Sequence, residues 1–474
     1  MKRHRNQARL WPYVAVLAHC AYPGPSWAQP GSTGSAGNAL QQTGQAGRND
    51  GATSADDMSM RLPDAAPQGG GMLVREPRTS RSVEDRTKAV AVLDRKRLYY
   101  DPIGLPVGAF SFYPSLGMSA NGTSNIFSQS NPASDLFLTL KGEGLLRSNW
   151  NRHLLLVRSF VAKDLHAEYT TENNFSYRTQ GMGRLDLGEA NSVSLEAVHE
   201  RFVLDRGGTG DILVSRRPTH YKQTGVDLSA KAGGRRRWVG KVRLAYDDRV
   251  YADGENLDGS RLDLSFRSFK DYTISGQVGY KVGPDKTIFI AGSRMWRRFD
   301  QALGDSRNVD VSELLAGIEG DVTPVIRGRF GLGYIHANFV SPAFRTTKGI
   351  AIDARVDFLV TELTTIQISG RRELRNVAGI TASAALNTKL KISIDHEFLR
   401  NVIISPSLSY EYADYVESDR SAALFNADTT VRWLISPRLR VTGNIGFRRR
   451  DAANFPIRRD FSAFNASVGI TAQF

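Results

Sequence analysis

The sequence is poor in cysteine and in long apolar runs. Its 474 residues include one cysteine, Cys20, which excludes a disulfide framework and a cysteine-based metal site. No apolar stretch reaches the roughly 18 residues that a membrane-spanning helix needs, so a helical membrane protein with several spans is excluded as well. A transmembrane β-barrel remains possible, because its strands need apolar residues only at alternate positions.

Catalytic and metal-binding motifs are also missing. The sequence contains no HExxH, GxSxG or Walker motif, and its histidines are scattered over different predicted strands and loops. We therefore expect no metal, no cofactor and no enzymatic activity, although spacing leaves open a barrel enzyme whose Ser, His and Asp meet across strands. The net charge is +14, but the cations are dispersed without a basic and aromatic recognition motif, so no nucleic-acid partner is expected.

The first 28 residues have the parts of a secretory signal peptide. Four cations precede a mostly apolar stretch over residues 10–22, and the segment ends in Ala28 before Gln29. This pattern predicts a signal peptide over residues 1–28 and export of the chain. A retained helical anchor and lipidation at Cys20 are the alternatives; the first is disfavoured because Pro12 and Pro23 interrupt the stretch, and the second because His19 is too large.

Residues 29–97 show no lasting hydrophobic period. They are rich in Gly, Ser, Ala, Gln and Asp, and they include three consecutive glycines at 69–71. Such a segment buries too little apolar surface to order itself, so we predict a disordered periplasmic arm. A docking site or a plug for the lumen is the alternative.

From Val107 to the end, apolar residues recur at every second position, as from Ile350 to Phe358. A soluble sandwich also alternates in this way, but short turns that alternate evenly with longer loops are typical of an up-and-down barrel. We predict an all-β fold, a transmembrane antiparallel β-barrel of about 18 strands (about 16–18) over residues 98–474. The predicted short turns lie near residues 148–151, 188–191, 233–236, 283–285, 322–324, 361–362, 399–401 and 436–437, and the longer loops include 206–220, 253–268, 303–307 and 451–459.

The last strand carries a further signal. Phe464, Val468 and Ile470 alternate with polar or small residues, and the chain ends on the aromatic Phe474. An aromatic last residue resembles the signal that the outer-membrane assembly machinery reads. We therefore expect that machinery to be a partner and Phe474 to be its recognition residue.

Charged residues are predicted to face the lumen, because a lipid-facing Arg or Lys costs about 2–4 kcal/mol at the membrane midplane. These cations, interspersed with acids, give a polar path for a hydrophilic solute, or only keep the lumen wet and rigid. If the solute is acidic, the cations would attract it and give the pore a modest anion preference. The predicted lumen-lining cations are Arg327, Arg329, Arg355, Arg371, Lys389, Lys391, Arg438 and Arg440.

A second group of arginines lies at the predicted outer ends of strands. We expect them to form a basic rim that binds lipopolysaccharide phosphates, with a merely solvated rim as the alternative. The group consists of Arg297, Arg298, Arg448, Arg449 and Arg450.

Five segments together resemble a family of outer-membrane β-barrel porins: YDPIGLPVG at residues 100–108, FSFYPSL at 110–116, SNWNRH at 148–153, ENNFSYR at 172–178 and PTHY at 218–221. The resemblance covers about residues 98–474. Its members are often encoded near capsule or exopolysaccharide genes, which implies a conduit for polysaccharide export in the bacterial outer membrane, working with periplasmic export proteins. A general or nutrient-uptake porin is the main alternative, and a structural or adhesive barrel is another.

Overall fold

The structure is a computed structural model. It describes residues 90–474 except 189, 210–214, 234–236, 302–303, 376–383, 417 and 456–459. The predicted signal peptide (1–28) and most of the predicted arm (29–97) therefore lie outside the described residues. Within the described part of the chain, no helix is long and apolar enough to cross a membrane.

Eighteen long strands dominate the described residues. The alternation of apolar and polar residues favours these strands, because successive side chains of an extended chain point to opposite faces. We number them in chain order: β1 Phe110–Thr123, β2 Asp135–Ser148, β3 Leu154–His166, β4 Asn174–Asp186, β5 Ser192–Val203, β6 His220–Ala232, β7 Trp238–Tyr251, β8 Phe269–Gly283, β9 Lys286–Phe299, β10 Val309–Asp321, β11 Ile326–Phe339, β12 Thr347–Thr361, β13 Thr364–Arg375, β14 Ala385–Leu399, β15 Val402–Tyr415, β16 Ser421–Ser436, β17 Leu439–Ala453 and β18 Phe461–Gln473.

The eighteen strands close into one antiparallel barrel. Each strand pairs with the next, and β18 returns to pair with β1, from Ser115 opposite Gln473 to Thr123 opposite Asn465. Closure leaves no strand edge with unpaired backbone groups, which is the condition for a sheet to lie in lipid. The predicted fold and strand number are confirmed.

The two ends of the barrel differ in the length of their connections. Turns of two to five residues join strands at one end, where β1 begins and β18 ends; we call this the short-turn end. The connections at the other end are mostly longer, including 204–219 and 252–268, and we call it the long-loop end. The predicted short turns all lie at the short-turn end.

The outer surface of the barrel is apolar. Ile290, Ile445 and Val468 are each more than 60% exposed, whereas their neighbours Ala291, Asn444 and Ser467 face inward and are buried. Exposed apolar side chains over most of the strands form a surface far larger than a soluble monomer tolerates. This face therefore meets lipid, and the polar alternate residues line the lumen.

The remaining elements are short. A strand at Leu105–Val107 pairs with the start of β1, and Gly254–Glu255 pairs with Arg261–Leu262 as a small hairpin in the loop after β7. Single 3₁₀ turns cover Val92–Asp94, Thr170–Glu172 and Ser265–Arg267.

Candidate functional site

One side of the lumen carries a connected set of ion pairs. Lys241 Nζ lies 2.9 Å from Glu319 Oε1, and Arg329 contacts both Glu319 (NH1 to Oε2, 2.6 Å) and Asp353 (Nε to Oδ2, 3.0 Å). Arg371 NH1 extends the set to Asp353 at 3.7 Å. β7 and β10–β13 supply these groups at inward-facing positions, and Glu319 faces Arg329 and Asp353 faces Arg371 in the register, so acids and cations neutralise each other. We call Lys241, Glu313, Glu319, Arg329, Asp353, Arg371 and Glu373 the charged wall.

Seven of the eight predicted lumen cations lie on inward-facing strand positions, and most of those have an acid nearby. Lys389 Nζ lies 3.7 Å from Glu411 Oε2, and Arg327 Nε lies 3.8 Å from Asp321 Oδ1. The eighth, Arg438, is exposed in the turn between β16 and β17, because β16 ends at Ser436 and β17 begins only at Leu439. The inward seven are Arg327, Arg329, Arg355, Arg371, Lys389, Lys391 and Arg440.

The predicted lipopolysaccharide-facing rim needs correction for three of its five arginines. Arg297 is buried and makes a double hydrogen bond to Asp271 inside the barrel, and Arg448 and Arg450 also point inward. Only Arg298 and Arg449 face outward. Adjacent residues of a strand point to opposite faces, so a run of arginines cannot all face lipid.

The other side of the lumen carries short uncharged polar side chains between charged ones such as Glu411, Arg432 and Arg450. Six of the uncharged side chains come from six neighbouring strands, β15 to β18, β1 and β2, and are neighbours across the sheet. We call them the hydroxyl–amide row: Ser405, Thr430, Asn444, Ser467, Asn121 and Thr139.

Hydrogen bonds join part of this row. Asn444 Nδ2 donates to Thr430 Oγ1 (2.9 Å), and Asn121 Nδ2 donates to Thr139 Oγ1 (3.1 Å). An aspartate bounds each end of the row, with Ser405 Oγ donating to Asp395 and Thr139 Oγ1 donating to Asp164, both at 2.6 Å. The row is therefore a polar strip of six uncharged residues, and one guanidinium contacts it, because Arg432 NH1 donates to Ser405 Oγ (2.9 Å).

Some polar atoms in and beside the middle of the row make no hydrogen bond. Asn444 Oδ1 and Ser467 Oγ are buried and have no hydrogen-bond partner among the described residues, and the same holds for Asn465 Oδ1 beside them. Leaving a buried polar group without a partner costs about 1–3 kcal/mol. A water molecule or a solute that donates a hydrogen bond would satisfy these atoms.

The row climbs along the barrel. Ser405 is near the short-turn end of β15, whereas Thr139 is near the long-loop end of β2. Strands in a closed barrel tilt and stagger, so a row of cross-strand neighbours rises as it passes round the wall. The row thus connects the two ends of the lumen.

Residues 91–97 lie inside the barrel at the short-turn end, and we call them the inner segment. Val92 and Leu93 are buried against Ile403 and Leu434. The backbone N–H of Val92 donates to Thr365 Oγ1 (3.0 Å), and Thr365 lies directly opposite Asp395 at the lower end of the row.

An ion pair holds the inner segment from its other side. Arg97 NH2 donates to Glu397 Oε2 (2.8 Å) and to Val92 O (2.9 Å), and both side chains of the pair are more than 90% buried. The predicted disordered arm extends to residue 97, but the structure places these last residues in the lumen, because Val92 and Leu93 find an apolar pocket there. Residues 91–97 are therefore ordered against the inner wall of the barrel.

The loop after β5 closes the long-loop end. Its residues 204–209, which we call the crossing loop, reach toward strands on the far side of the lumen. Asp205 accepts two hydrogen bonds from Arg448, Thr209 Oγ1 donates to Glu411, and Arg450 NH1 donates to Gly208 O (3.2 Å). Glu411 belongs to β15, eight strands away from β5 through the seam, so the loop spans nearly the full width of the barrel.

The electrostatics of the crossing loop favour the closed arrangement. Burial on its own would raise the pKa of Asp205, but the Arg448 guanidinium and its hydrogen bonds hold that pKa below the ordinary value of an aspartate. The carboxylate therefore stays ionised and paired at neutral pH. A second element narrows the same end: Leu374 and Leu386, from the upper part of β13 and β14, pack with the inward-facing Ile335.

Sequence reasoning missed the hydroxyl–amide row, the inner segment and the crossing loop. The inward positions of β15–β18 carry Ser, Thr and Asn beside charged residues such as Asp428 and Arg432, so the residue types on these strands give only a weak signal for the row. The described residues also bring together no group of three or more His, Cys, Asp or Glu side chains able to hold a metal ion.

A closed barrel with an apolar exterior and a polar lumen is a transmembrane β-barrel of the bacterial outer-membrane class. The chain belongs to the family described as "Putative beta-barrel porin 2", whose model matches residues 98–474. This confirms the resemblance seen in the sequence, and family and fold both indicate the outer membrane. No curated protein matches the sequence.

Solved structures of similar fold share little sequence with the chain. The ferric enterobactin receptor of Pseudomonas aeruginosa is 9% identical, with a TM-score of 0.42 over 77% of this chain and 81% of that one. The siderophore receptor PirA of Acinetobacter baumannii is 7% identical, with a TM-score of 0.43 over 76% and 80%. OccAB4 of Acinetobacter baumannii is 8% identical, with a TM-score of 0.41 over 77% and 98%.

Proposed function

We propose that the protein is a gated outer-membrane conduit for a hydrophilic solute. The observation that carries the proposal is a lumen lined by polar groups and occupied at both ends by the chain itself, at one end by the inner segment and at the other by the crossing loop. The short-turn end faces the periplasm in this proposal, as in other outer-membrane barrels, and the long loops face outward. The inner segment is then reachable by periplasmic proteins.

The finer proposal is that the solute is an extracellular polysaccharide on its way out, delivered by periplasmic polysaccharide-export proteins. Two features support it. The sequence resembles porins encoded near exopolysaccharide genes, and the wall offers many separate polar groups rather than one tight site. A polymer that must keep moving needs weak and replaceable hydrogen bonds, because tight binding at one point would stall it.

Channel recordings in planar bilayers test the conduit. The Glu397→Gln variant removes the acid that holds Arg97, so we expect the inner segment to leave its pocket and the channel to open more often than the wild type. Asp253→Asn is the matched control, because Asp253 pairs with Arg261 in an exposed loop outside the lumen. If no ions pass when both ends are released, in Glu397→Gln/Asp205→Asn or in Asp205→Asn without residues 29–97, the conduit proposal is wrong.

A deletion strain tests the finer proposal. Loss of secreted polysaccharide, restored by the wild-type gene, is the expected result. Normal secretion together with loss of uptake of a small solute would contradict export and favour the nutrient-uptake porin.

A further inference from the structure

We propose that the hydroxyl–amide row is a binding track for an uncharged, polyhydroxylated solute, that is, a neutral glycan chain. The inference rests on the proposed conduit and adds to it the chemical class of the solute and the wall along which it passes. It differs from the expectation drawn from the lumen cations, which favours an acidic solute.

The two walls of the lumen offer different chemistry. On the charged wall, Arg329 contacts two carboxylates and Arg371 lies within 3.7 Å of three, so these cations are already matched within the protein. A passing anion would have to displace those partners. The six members of the hydroxyl–amide row are uncharged, with Arg432 donating to Ser405 at the short-turn end, and their hydroxyl and amide groups can each donate and accept. Sugar hydroxyls need that same combination.

The unsatisfied atoms show where a solute would be bound. Asn444 and Ser467 face each other across β17 and β18 at inward positions, both are more than 95% buried, and Asn444 Oδ1 and Ser467 Oγ have no hydrogen-bond partner among the described residues. Asn465 Oδ1, one inward position toward the long-loop end, is in the same state. Together they place three hydrogen-bond acceptors side by side, which complement the hydroxyl donors of a sugar ring.

The inner segment supplies an independent observation at the short-turn end of the row. The backbone N–H of Val92 donates to Thr365 Oγ1, and Thr365 lies opposite Asp395, which accepts from Ser405, the first member of the row. The backbone N–H of Val92 thus occupies the position beside Thr365, where the row would continue past Ser405 and Asp395. The inner segment and the glycan compete for the entrance of the track, so entry of the glycan requires release of the segment.

Channel block by oligosaccharides tests the track. The background is Glu397→Gln, and the probe is maltohexaose, a neutral oligosaccharide, compared with a hexamer of galacturonic acid. We expect maltohexaose to block the ion current. We also expect the double variant Asn444→Leu/Ser467→Ala to weaken that block about tenfold, with the ion conductance unchanged.

Ser275→Ala is the matched control. Ser275 is also buried and inward-facing with an unpartnered hydroxyl, but it lies on β8, on the side of the charged wall. We expect this variant to leave the block within about twofold of the background. Ser467→Ala alone serves as the second row variant if the double variant fails to assemble, with a smaller weakening of the block expected.

The outcomes separate the two proposals. Ion current with a maltohexaose block that the row variants do not change, or tighter block by the galacturonic acid hexamer that the row variants leave intact, overturns the track and leaves the conduit standing. Absence of ion current from every variant, also after Asp205→Asn is added to release the crossing loop, overturns the conduit itself.

Discussion

Replacing Asp205 by Asn should release the crossing loop. Asp205 and Arg448 form a charge-assisted double hydrogen bond, with Arg448 NH1 2.9 Å from Asp205 Oδ1, and both side chains are largely buried. Hydrogen bonds to a charged group contribute about 1.5–3 kcal/mol each, and the neutral amide cannot accept both from Arg448. A loss of about 2 kcal/mol raises the fraction of open loops about 30-fold.

Thiol labelling measures this opening. Thr209→Cys places a probe at a buried position of the same loop, and Cys20→Ser removes the one native cysteine, so the labelling rate follows the open population. We expect labelling about 30-fold faster when Asp205→Asn is added. Asp258→Asn, in an exposed loop, is the control and should not change the rate. Equal rates with and without Asp205→Asn would refute the assigned role of the Asp205–Arg448 pair.

Four other expectations can be checked separately. Because the pKa of Asp205 is lowered in the folded protein, its pairing stabilises the closed loop above about pH 3.9 and the stabilisation is lost as pH falls through the lowered pKa; channel opening should rise only in that acidic range, and not in Asp205→Asn. A tag at Gly259 should be labelled on intact cells and a tag at Pro284 should not; the reverse pattern would invert the orientation. Deletion of Phe474 should reduce assembly sharply, as measured by the heat-modifiable band in outer-membrane fractions, and normal assembly would contradict the recognition role. Arg449→Gln should weaken lipopolysaccharide retention during purification, because this outward arginine is half-exposed near the long-loop end, and unchanged retention would leave it merely solvated.

The barrel could be predicted from the sequence because its main determinants are local. Alternation such as that of Ile350 and Ala351 follows from the pleat of a strand, and the connectors interrupt that alternation at recognisable residues. The strand number, the closure and the position of the turns follow from these two patterns. The same alternation also determines which way Arg448 and Arg449 point, once Ile445 is placed on the lipid side.

The closed state could not be predicted in the same way. Asp205 and Arg448 are 243 residues apart, and Val92 and Thr365 are 273 residues apart, so no local pattern connects either pair. Their contacts arise because the barrel brings distant strands around one lumen. For the same reason, the loop pattern does not reveal that Gly208 accepts a hydrogen bond from Arg450 inside the lumen.

The inner segment is covalently joined to the wall that it contacts. Residues 98–109 connect it to β1, and part of this linker, Leu105–Val107, is itself paired with β1. Tethering by a short linker corresponds to an effective concentration of about millimolar at Thr365. A free sugar at micromolar concentration cannot displace such a competitor, whereas a polymer that contacts several members of the row at once, or a protein that binds the chain before residue 90, can. If the proposed track is right, the covalent link makes the channel respond to chain length rather than to the concentration of single sugars.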